Sequence, residues 1–338
     1  MRTVLKSGLA RSSRIEVIGS AQNGNEALQK IFDLKPDVVT LDIEMPGLSG
    51  IEVLERLMKE HPLPVVMVST KTQEGAQLTF EALDKGAIDF VAKPRATQRS
   101  SLEKFQNQVV RAVESAFASN GALTRGHRST RILRPRKATI PTEGFVVAIG
   151  ISAGGPATLH KMLPLLPREF PPVVLVQHMP VDFTGPFARR LDAVCELSVA
   201  EAVAGEELLP GRVLLAPGNQ HLRVARRGGR YVATLDQEPK VTGFRPSVDV
   251  LFKSVATTIG EYAIGLVMTG MGCDGAAGVR ALKNAGAKTL AQDAESSIVY
   301  GMPKAAVETG NVDQVVTLAE IPDLLVRLLA ESDAVAAR

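Results

Sequence analysis

Apolar and polar positions along this chain follow two periods, and the switching between them marks out short strands and amphipathic helices. Over residues 1–117, Arg14–Ser20, Asp37–Leu41, Val65–Val68 and Ile88–Val91 read as strands. Helical patterns lie at Val4–Arg11, Gly24–Leu34, Gly50–Lys59, Glu74–Lys85 and Glu103–Phe117. The second carries an apolar stripe of Ala27, Leu28, Ile31 and Phe32, the third one of Val53, Leu54, Leu57 and Met58. Strands and helices alternating in this way predict a parallel sheet covered by helices. The alternation stops over residues 118–143, which are polar and basic and predict a solvated linker.

It resumes over residues 144–331. Phe145–Ile149, Val173–Gln177, Ala263–Met268 and Lys288–Ala291 read as parallel strands of a doubly wound sheet. Ala157–Leu166, Phe183–Leu191, Ser247–Ile259, Asp274–Ala285 and Ile321–Ala330 read as its helices. Arg212–Ala216, His221–Ala225 and Tyr231–Leu235, punctuated by Gly228-Gly229, predict a small antiparallel insertion. The whole is an α/β protein of two domains.

Composition narrows the function classes. The chain has 338 residues, 45% hydrophobic and 22% charged, with a net charge of +3, which does not by itself point to nucleic acid. The linker arginines (Arg125, Arg128, Arg131, Arg134, Arg136) and Lys137 come with no helix-turn-helix pattern and few aromatics for base stacking, so no nucleic-acid partner is expected. Neither Cys195 nor Cys273 has metal-ligand or disulfide-framework spacing. No apolar run reaches the roughly 18 residues of a membrane span. A cytoplasmic protein without membrane insertion is expected.

Candidate chemistry gathers at predicted strand ends, where α/β sheets collect functional groups. In the first domain these are Asp42, Ser69 (or Thr70) and Lys93. A carboxylate that takes a phosphoryl group, a lysine that neutralises it and a hydroxyl that reports it would form a phosphorylation switch. The stretches Leu41-Asp42-Ile43-Glu44-Met45-Pro46-Gly47 and Gly86-Ala87-Ile88-Asp89-Phe90-Val91-Ala92-Lys93-Pro94 resemble the response-regulator receiver family, which has a flavodoxin-like fold. The resemblance implies phosphorylation at Asp42, with Ser69 and Lys93 as switch residues and Mg²⁺ as cofactor. Receivers begin with a central strand ending in two acidic residues that hold Mg²⁺. Here the sequence starts at the first helix, with no acidic residue before Glu16. A truncated start is therefore expected, leaving an incomplete metal site of Asp42 and the Glu44 backbone and putting phosphorylation at Asp42 in doubt.

In the second domain the three strand ends carry Ser152 within Gly150-Ile151-Ser152-Ala153-Gly154-Gly155, His178 after Gln177, and Asp274 within Thr269-Gly270-Met271-Gly272-Cys273-Asp274-Gly275. Taken singly, these are a helix-capping serine, a loop histidine and a helix-capping aspartate. Taken jointly, they predict a nucleophile, a general base and the acid that orients it. The backbone N–H of Met271 is the expected oxyanion donor.

Gly150-Ile151-Ser152-Ala153-Gly154-Gly155-Pro156, Gln177-His178-Met179-Pro180, Ala216-Pro217-Gly218, Arg245-Pro246-Ser247-Val248-Asp249, Met268-Thr269-Gly270-Met271-Gly272 and Tyr300-Gly301-Met302-Pro303 resemble the CheB family of chemotaxis methylesterases. The resemblance covers nearly the whole chain, because that family joins a receiver to its esterase domain. It implies hydrolysis of glutamate methyl esters on methyl-accepting chemoreceptors, a related glutamine deamidation, no cofactor for the ester chemistry, and a chemotaxis histidine kinase as phosphodonor. It also implies that an unphosphorylated receiver blocks the esterase mouth.

Two positions depart from the family pattern. Ala153 stands where threonine is frequent, leaving its backbone N–H as the oxyanion contact, and Cys273 stands where asparagine is frequent and is expected to be a packing residue. A non-catalytic receiver-linked adaptor is the alternative, which Ser152→Ala would leave indifferent. A transcriptional regulator predicts salt-dependent DNA binding, and a nucleotide-dependent enzyme predicts protection of the Ser152 loop by nucleotide.

Overall fold

The computed structural model describes residues 1–70, 72–94, 99–119, 140 and 144–336. Two compact units emerge, Met1–Arg128 and Ser129–Arg338, divided inside the stretch expected as a linker. The basic residues of that stretch, Arg125 to Lys137, lie outside the described residues.

The first unit comprises α1 (Arg2–Leu9), α2 (Gly24–Leu34), β1 (Val39–Asp42), α3 (Gly50–Glu60), β2 (Val65–Ser69), α4 (Gln73–Asp84), β3 (Asp89–Ala92) and α5 (Arg99–Ala118). Its strands pair in parallel in the order β1-β2-β3. All five residues of β2 are buried, as a strand covered on both faces requires. Helix starts follow local chemistry. Asn23 Oδ1 accepts the Glu26 N–H at 3.0 Å to begin α2, and Ser49 with Glu52 forms a reciprocal capping box on α3. Such caps stabilise by about 1 kcal/mol each.

Two expectations fail here. Arg14–Ser20 is not a strand, and Val17 and Ile18 are 36% and 47% exposed. β-Branched residues confer a preference for extended backbone, but a strand also needs a neighbour to exchange N–H and C=O bonds, and this segment has none among the described residues. In α2, Ala27, Leu28 and Ile31 are buried while Phe32 is 39% exposed, its ring 6.2 Å from that of His61.

The second unit runs β4 (Val146–Ile151), α6 (Gly155–Met162), β5 (Val173–Gln177), α7 (Val181–Asp192), β6 (Ser198–Glu201), β7 (Arg212–Leu215), β8 (His221–Arg227) and β9 (Arg230–Asp236). It continues with α8 (Val248–Thr258), β10 (Ala263–Val267), α9 (Ala276–Asn284), β11 (Lys288–Gln292), α10 (Met302–Glu308), β12 (Gln314–Val316) and α11 (Ile321–Ala336). Seven strands form one sheet in the order β12-β11-β10-β4-β5-β7-β6, with every pairing parallel.

The expected antiparallel insertion is smaller than the sequence suggests. Arg212–Leu215 is a parallel strand between β5 and β6, and only β8 and β9 pair antiparallel. Val213, Leu214 and Leu215 are fully buried, and this consecutive apolar run is the mark of a strand covered on both faces. The short elements β6, β12 and α10 have too little periodicity to read in sequence.

One packing detail bears on the site. A Cβ on Gly150 would stand 2.2 Å from Val248 Cγ1, so the bare glycine lets the first turn of α8 lie against β4. Behind it, Leu251, Phe252 and Val255 of α8 pack with Val146, Ala148 and Val267 in one buried core. The chain enters the sheet at β4, builds β5, β7 and β6 on one side, and returns to add β10, β11 and β12 on the other. The crevice at such a switch point is where α/β sheets bind ligands, and the C-terminal ends of β10, β4 and β5 meet there.

Candidate active site

Ser152, His178 and Asp274 follow β4, β5 and β10, three adjacent strands. Ile151 and Gln177 are register partners across β4 and β5, so Ser152 and His178 leave the sheet side by side. The His178 N–H extends that ladder to Ile151 O at 3.1 Å, and the Ser152 N–H donates to Thr269 O at 2.9 Å. A Cβ on Gly270 would fall 2.7 Å from Ser152 Cβ and 2.5 Å from Met302 Sδ, so only glycine lets the acid loop pass this close to the serine.

Asp274 is fully buried and is the most heavily bonded member of the site. Its Oδ2 faces His178 Nε2 at 2.8 Å and accepts the Val248 N–H at 2.7 Å. Its Oδ1 accepts Ser247 Oγ–H at 2.8 Å and the Asp249 N–H at 3.1 Å. Three of these donors come from the N-terminal turn of α8, where free N–H groups and the helix dipole favour a negative charge. Burial pushes the Asp274 carboxyl up, but the hydrogen bond and charge of His178, with Ser247 and Val248, outweigh it and hold the group below its ordinary value.

The carboxylate in turn sets the imidazole. With Nε2–H donating to Asp274, the neutral ring carries its free lone pair on Nδ1, which is buried without a hydrogen-bond partner. Ser152 Oγ makes no hydrogen bond to it in this state, so the structure joins two of the three expected residues directly and brings the third to the neighbouring strand end. Such contacts often tighten only once substrate is bound.

Several residues that shape the site carry no chemical signal in the sequence. Gln177 Nε2 donates to Ser152 O at 2.9 Å and to His178 O at 3.2 Å, tying the two loops together. Thr269 Oγ1 donates to Ala153 O at 2.9 Å and accepts the Val299 N–H at 2.9 Å, fixing the serine loop to the Val299 segment. Asp249 accepts the N–H groups of Gly275 and Gly278 at 3.0 and 2.7 Å, holding the loop that carries Asp274. Phe244 stacks flat on His178, ring centroids 3.8 Å apart and planes 3° from parallel. Ser247, which also bonds Asp274, can by contrast be read locally, as an N-cap serine ahead of an apolar helical pattern.

The two backbone groups expected near the oxyanion, Ala153 N–H and Met271 N–H, donate no hydrogen bond among the described residues. Cys273, expected to pack, is exposed instead.

In the first unit Asp42, Ser69 and Lys93 also lie at adjacent strand ends. Lys93 Nζ is 2.7 Å from Asp42 Oδ1, and that oxygen accepts the Glu44 N–H at 3.1 Å. The Ser69 hydroxyl turns away, donating to Gly75 O at 3.0 Å and accepting from Thr79 Oγ1 at 2.7 Å. Thr70 is the hydroxyl on the acidic side, 3.4 Å from Glu44 Oε1. The donor set does not fit Mg²⁺. An ammonium already contacts Asp42, the Glu44 side chain is largely exposed, and no group of three His, Cys, Asp or Glu side chains is gathered for a metal among the described residues.

Comparison with known proteins agrees with this architecture. Residues 147–325 match the CheB methylesterase family model, and residues 1–103 match the response regulator receiver domain. A protein-glutamate methylesterase/protein-glutamine glutaminase of Sulfurimonas denitrificans is 46% identical over 337 residues, covering 98% of this chain and 96% of that protein. One from Geobacillus kaustophilus is 46% identical over 335 residues, with the same coverage. The crystal structure of the Thermotoga maritima CheB methylesterase catalytic domain superposes with a TM-score of 0.54 at 41% identity, covering 55% of this chain and 99% of that one. The chain belongs to the CheB methylesterase family.

Proposed function

We infer that the chain hydrolyses γ-methyl esters of glutamate side chains in a protein substrate, releasing methanol, and deamidates glutamine side chains by the same route. The names of its relatives support both reactions. The observation that carries the reading is the His178–Asp274 pair, which leaves a buried, unpartnered Nδ1 beside the strand end that bears Ser152.

Ser152 Oγ attacks the ester carbonyl while His178 Nδ1 takes its proton. The imidazolium so formed is held by the ionised Asp274, which stays unprotonated. The N–H groups of Ala153 and Met271, unengaged in the free protein, receive the negative oxygen of the tetrahedral adduct. In better-studied enzymes one such donor is worth roughly 3 kcal/mol. Collapse breaks the C–O bond, and Nδ1–H protonates the departing methoxide to give methanol. Water, deprotonated by Nδ1, then attacks the acyl-serine; the acyl C–Oγ bond breaks, Nδ1–H returns its proton to Ser152 Oγ, and the glutamate carboxylate is released. For a glutamine side chain, ammonia leaves in place of methanol. No step calls for a cofactor.

Methyl-accepting chemoreceptors are the substrates this reading implies, and a chemotaxis histidine kinase is the phosphodonor implied by the receiver. No described helix is long and apolar enough to cross a membrane. The test is methanol release from a methylated receptor fragment. Ser152→Ala is expected to abolish it, since loss of the nucleophile costs about 10⁶-fold in a well-studied serine hydrolase. Release that survives in Ser152→Ala would sink the mechanism, and none from the folded wild-type chain would favour an adaptor.

A further inference from the structure

The Phe244–His178 stack is not explained by core packing. Phe244 is only partly buried, at the end of a tight turn that it closes by exchanging two backbone hydrogen bonds with Val241 at 2.9 and 3.1 Å. Thr242 and Gly243, the two residues of that turn, both have positive φ, 52° and 88°. On the far side, the Arg245 guanidinium donates to Glu238 O at 2.9 Å and to Asn219 Oδ1 at 2.8 Å, while Arg245 O accepts the Asn219 N–H at 3.1 Å. Arg245 thus anchors the turn on its C-terminal side, and the turn sets one aromatic face against the imidazole.

The stacking geometry distinguishes the two charge states of His178. Neutral aromatic rings disfavour a face-to-face sandwich, because their negative faces repel, and prefer offset or edge-on contact. A cation over a ring face is attracted by that same negative charge. A parallel pair with centroids 3.8 Å apart puts the Phe244 face against the His178 ring, where a positive charge on that ring is attracted. In the reaction His178 gains the Ser152 proton, so the interaction strengthens as that proton is transferred, which is the condition for raising kcat rather than binding.

We propose that Phe244 is a positioning residue for the ester hydrolysis. It fixes the plane of the His178 ring so that Nε2 meets Asp274 while Nδ1 faces the serine loop, and it stabilises the imidazolium as the proton is transferred. This rests on His178 being the general base. Asp274 pins one edge of the ring and Phe244 one face, and between them they leave the ring a single orientation.

The test compares wild type with Phe244→Leu, which keeps apolar bulk without the π face, and Phe244→Tyr, which keeps the face. With a methylated chemoreceptor fragment, Phe244→Leu is expected to lower kcat roughly tenfold, within the 2- to 30-fold range of cation–π contacts, with KM within about twofold. Phe244→Tyr is expected to restore wild-type kcat. Independently, NMR of histidine-labelled protein should show the ring protons of His178 shifted upfield by the Phe244 ring current in wild type and Phe244→Tyr, and not in Phe244→Leu. The five histidines allow its signal to be assigned by the one lost in His178→Gln. An unchanged kcat in Phe244→Leu, a loss expressed wholly in KM, or His178 signals that do not move would each overturn the proposal. If wild type released no methanol, the esterase reading would fail by itself, and unshifted His178 signals would still overturn the stack.

Discussion

Two buried carboxylates stand within one hydrogen bond of each other at the head of α8, and their surroundings drive them apart. Asp274 is held below its ordinary pKa, as described above. Asp249 is pushed up by burial, with the Asp274 charge adding to it, against the opposing N–H bonds of Gly278 and Gly275. The signs predict opposite outcomes for the same substitution. Asp274→Asn places an NH₂ where one carboxylate oxygen accepted two hydrogen bonds, and leaving buried donors unmatched costs about 1–3 kcal/mol. The stabilisation by a depressed carboxylate is present above the ordinary value of about 3.9 and is lost as pH falls through the lower folded value. Urea unfolding should therefore show Asp274→Asn less stable than wild type at pH 7, with the gap narrowing below about pH 4. Methanol release should fall by about 10⁴, as when a serine-protease triad loses the correct tautomer. In Asp249→Asn the amide oxygen can still accept from Gly275 and Gly278, while the unfavourable charge is gone. Its stability at pH 7 should equal or exceed that of wild type, a gain that vanishes once both states are protonated. An Asp249→Asn variant as unstable as Asp274→Asn would refute this division of roles.

At the scale of elements, the site depends on how closely α8 approaches β4. Gly150→Ala would drive a methyl into Val248, and overpacking of this kind costs typically about 1–3 kcal/mol. The same displacement would move Ser247, Val248 and Asp249 away from Asp274, so methanol release should drop together with the thermal midpoint. Adding Val248→Ala removes the obstructing atoms and should recover most of both. If stability returned while activity did not, α8 would not be what supports the carboxylate. The difference between what the sequence discloses and what it hides follows from the same geometry. Ser152, His178 and Asp274 are legible because each soon follows an apolar run, Ser152 and Asp274 among glycines, and the ends of neighbouring parallel strands lie at one sheet edge. Gln177, Phe244 and Ser247 act across sequence separations of 25 to 66 residues on atoms that no periodicity marks. β7 reads as part of the insertion because its neighbour in sequence is a hairpin, whereas its neighbours in space are β5 and β6. Arg14–Ser20 carried strand composition without a partner to pair with, and composition alone does not supply one.

For the molecule as a whole, the question is whether the first unit can switch the second. The three strand-end groups are present in this 338-residue chain, yet Asp42 is engaged by Lys93 and the hydroxyl of Ser69 is spent on Gly75 and Thr79. A dication brought to Asp42 would meet an ammonium 2.7 Å from the same oxygen, and no group of three His, Cys, Asp or Glu side chains is gathered for it among the described residues. Phosphoryl transfer to an aspartate requires that the charge on the incoming group be neutralised, and among the described residues Lys93 is the cation that contacts Asp42. Acetyl phosphate with Mg²⁺ should therefore change the rate of methanol release less than twofold in this chain, and Asp42→Asn should match wild type with and without it. Phosphate-binding gels run in parallel would show no retarded band. Stimulation of several fold that disappears in Asp42→Asn would show instead that Lys93 releases the carboxylate and that the first unit accepts a phosphoryl group with the residues it has. Lys93→Ala then separates the lysine's two roles. If it merely blocks the metal, its removal should increase the response; if it neutralises the phosphoryl oxygens, the response should vanish.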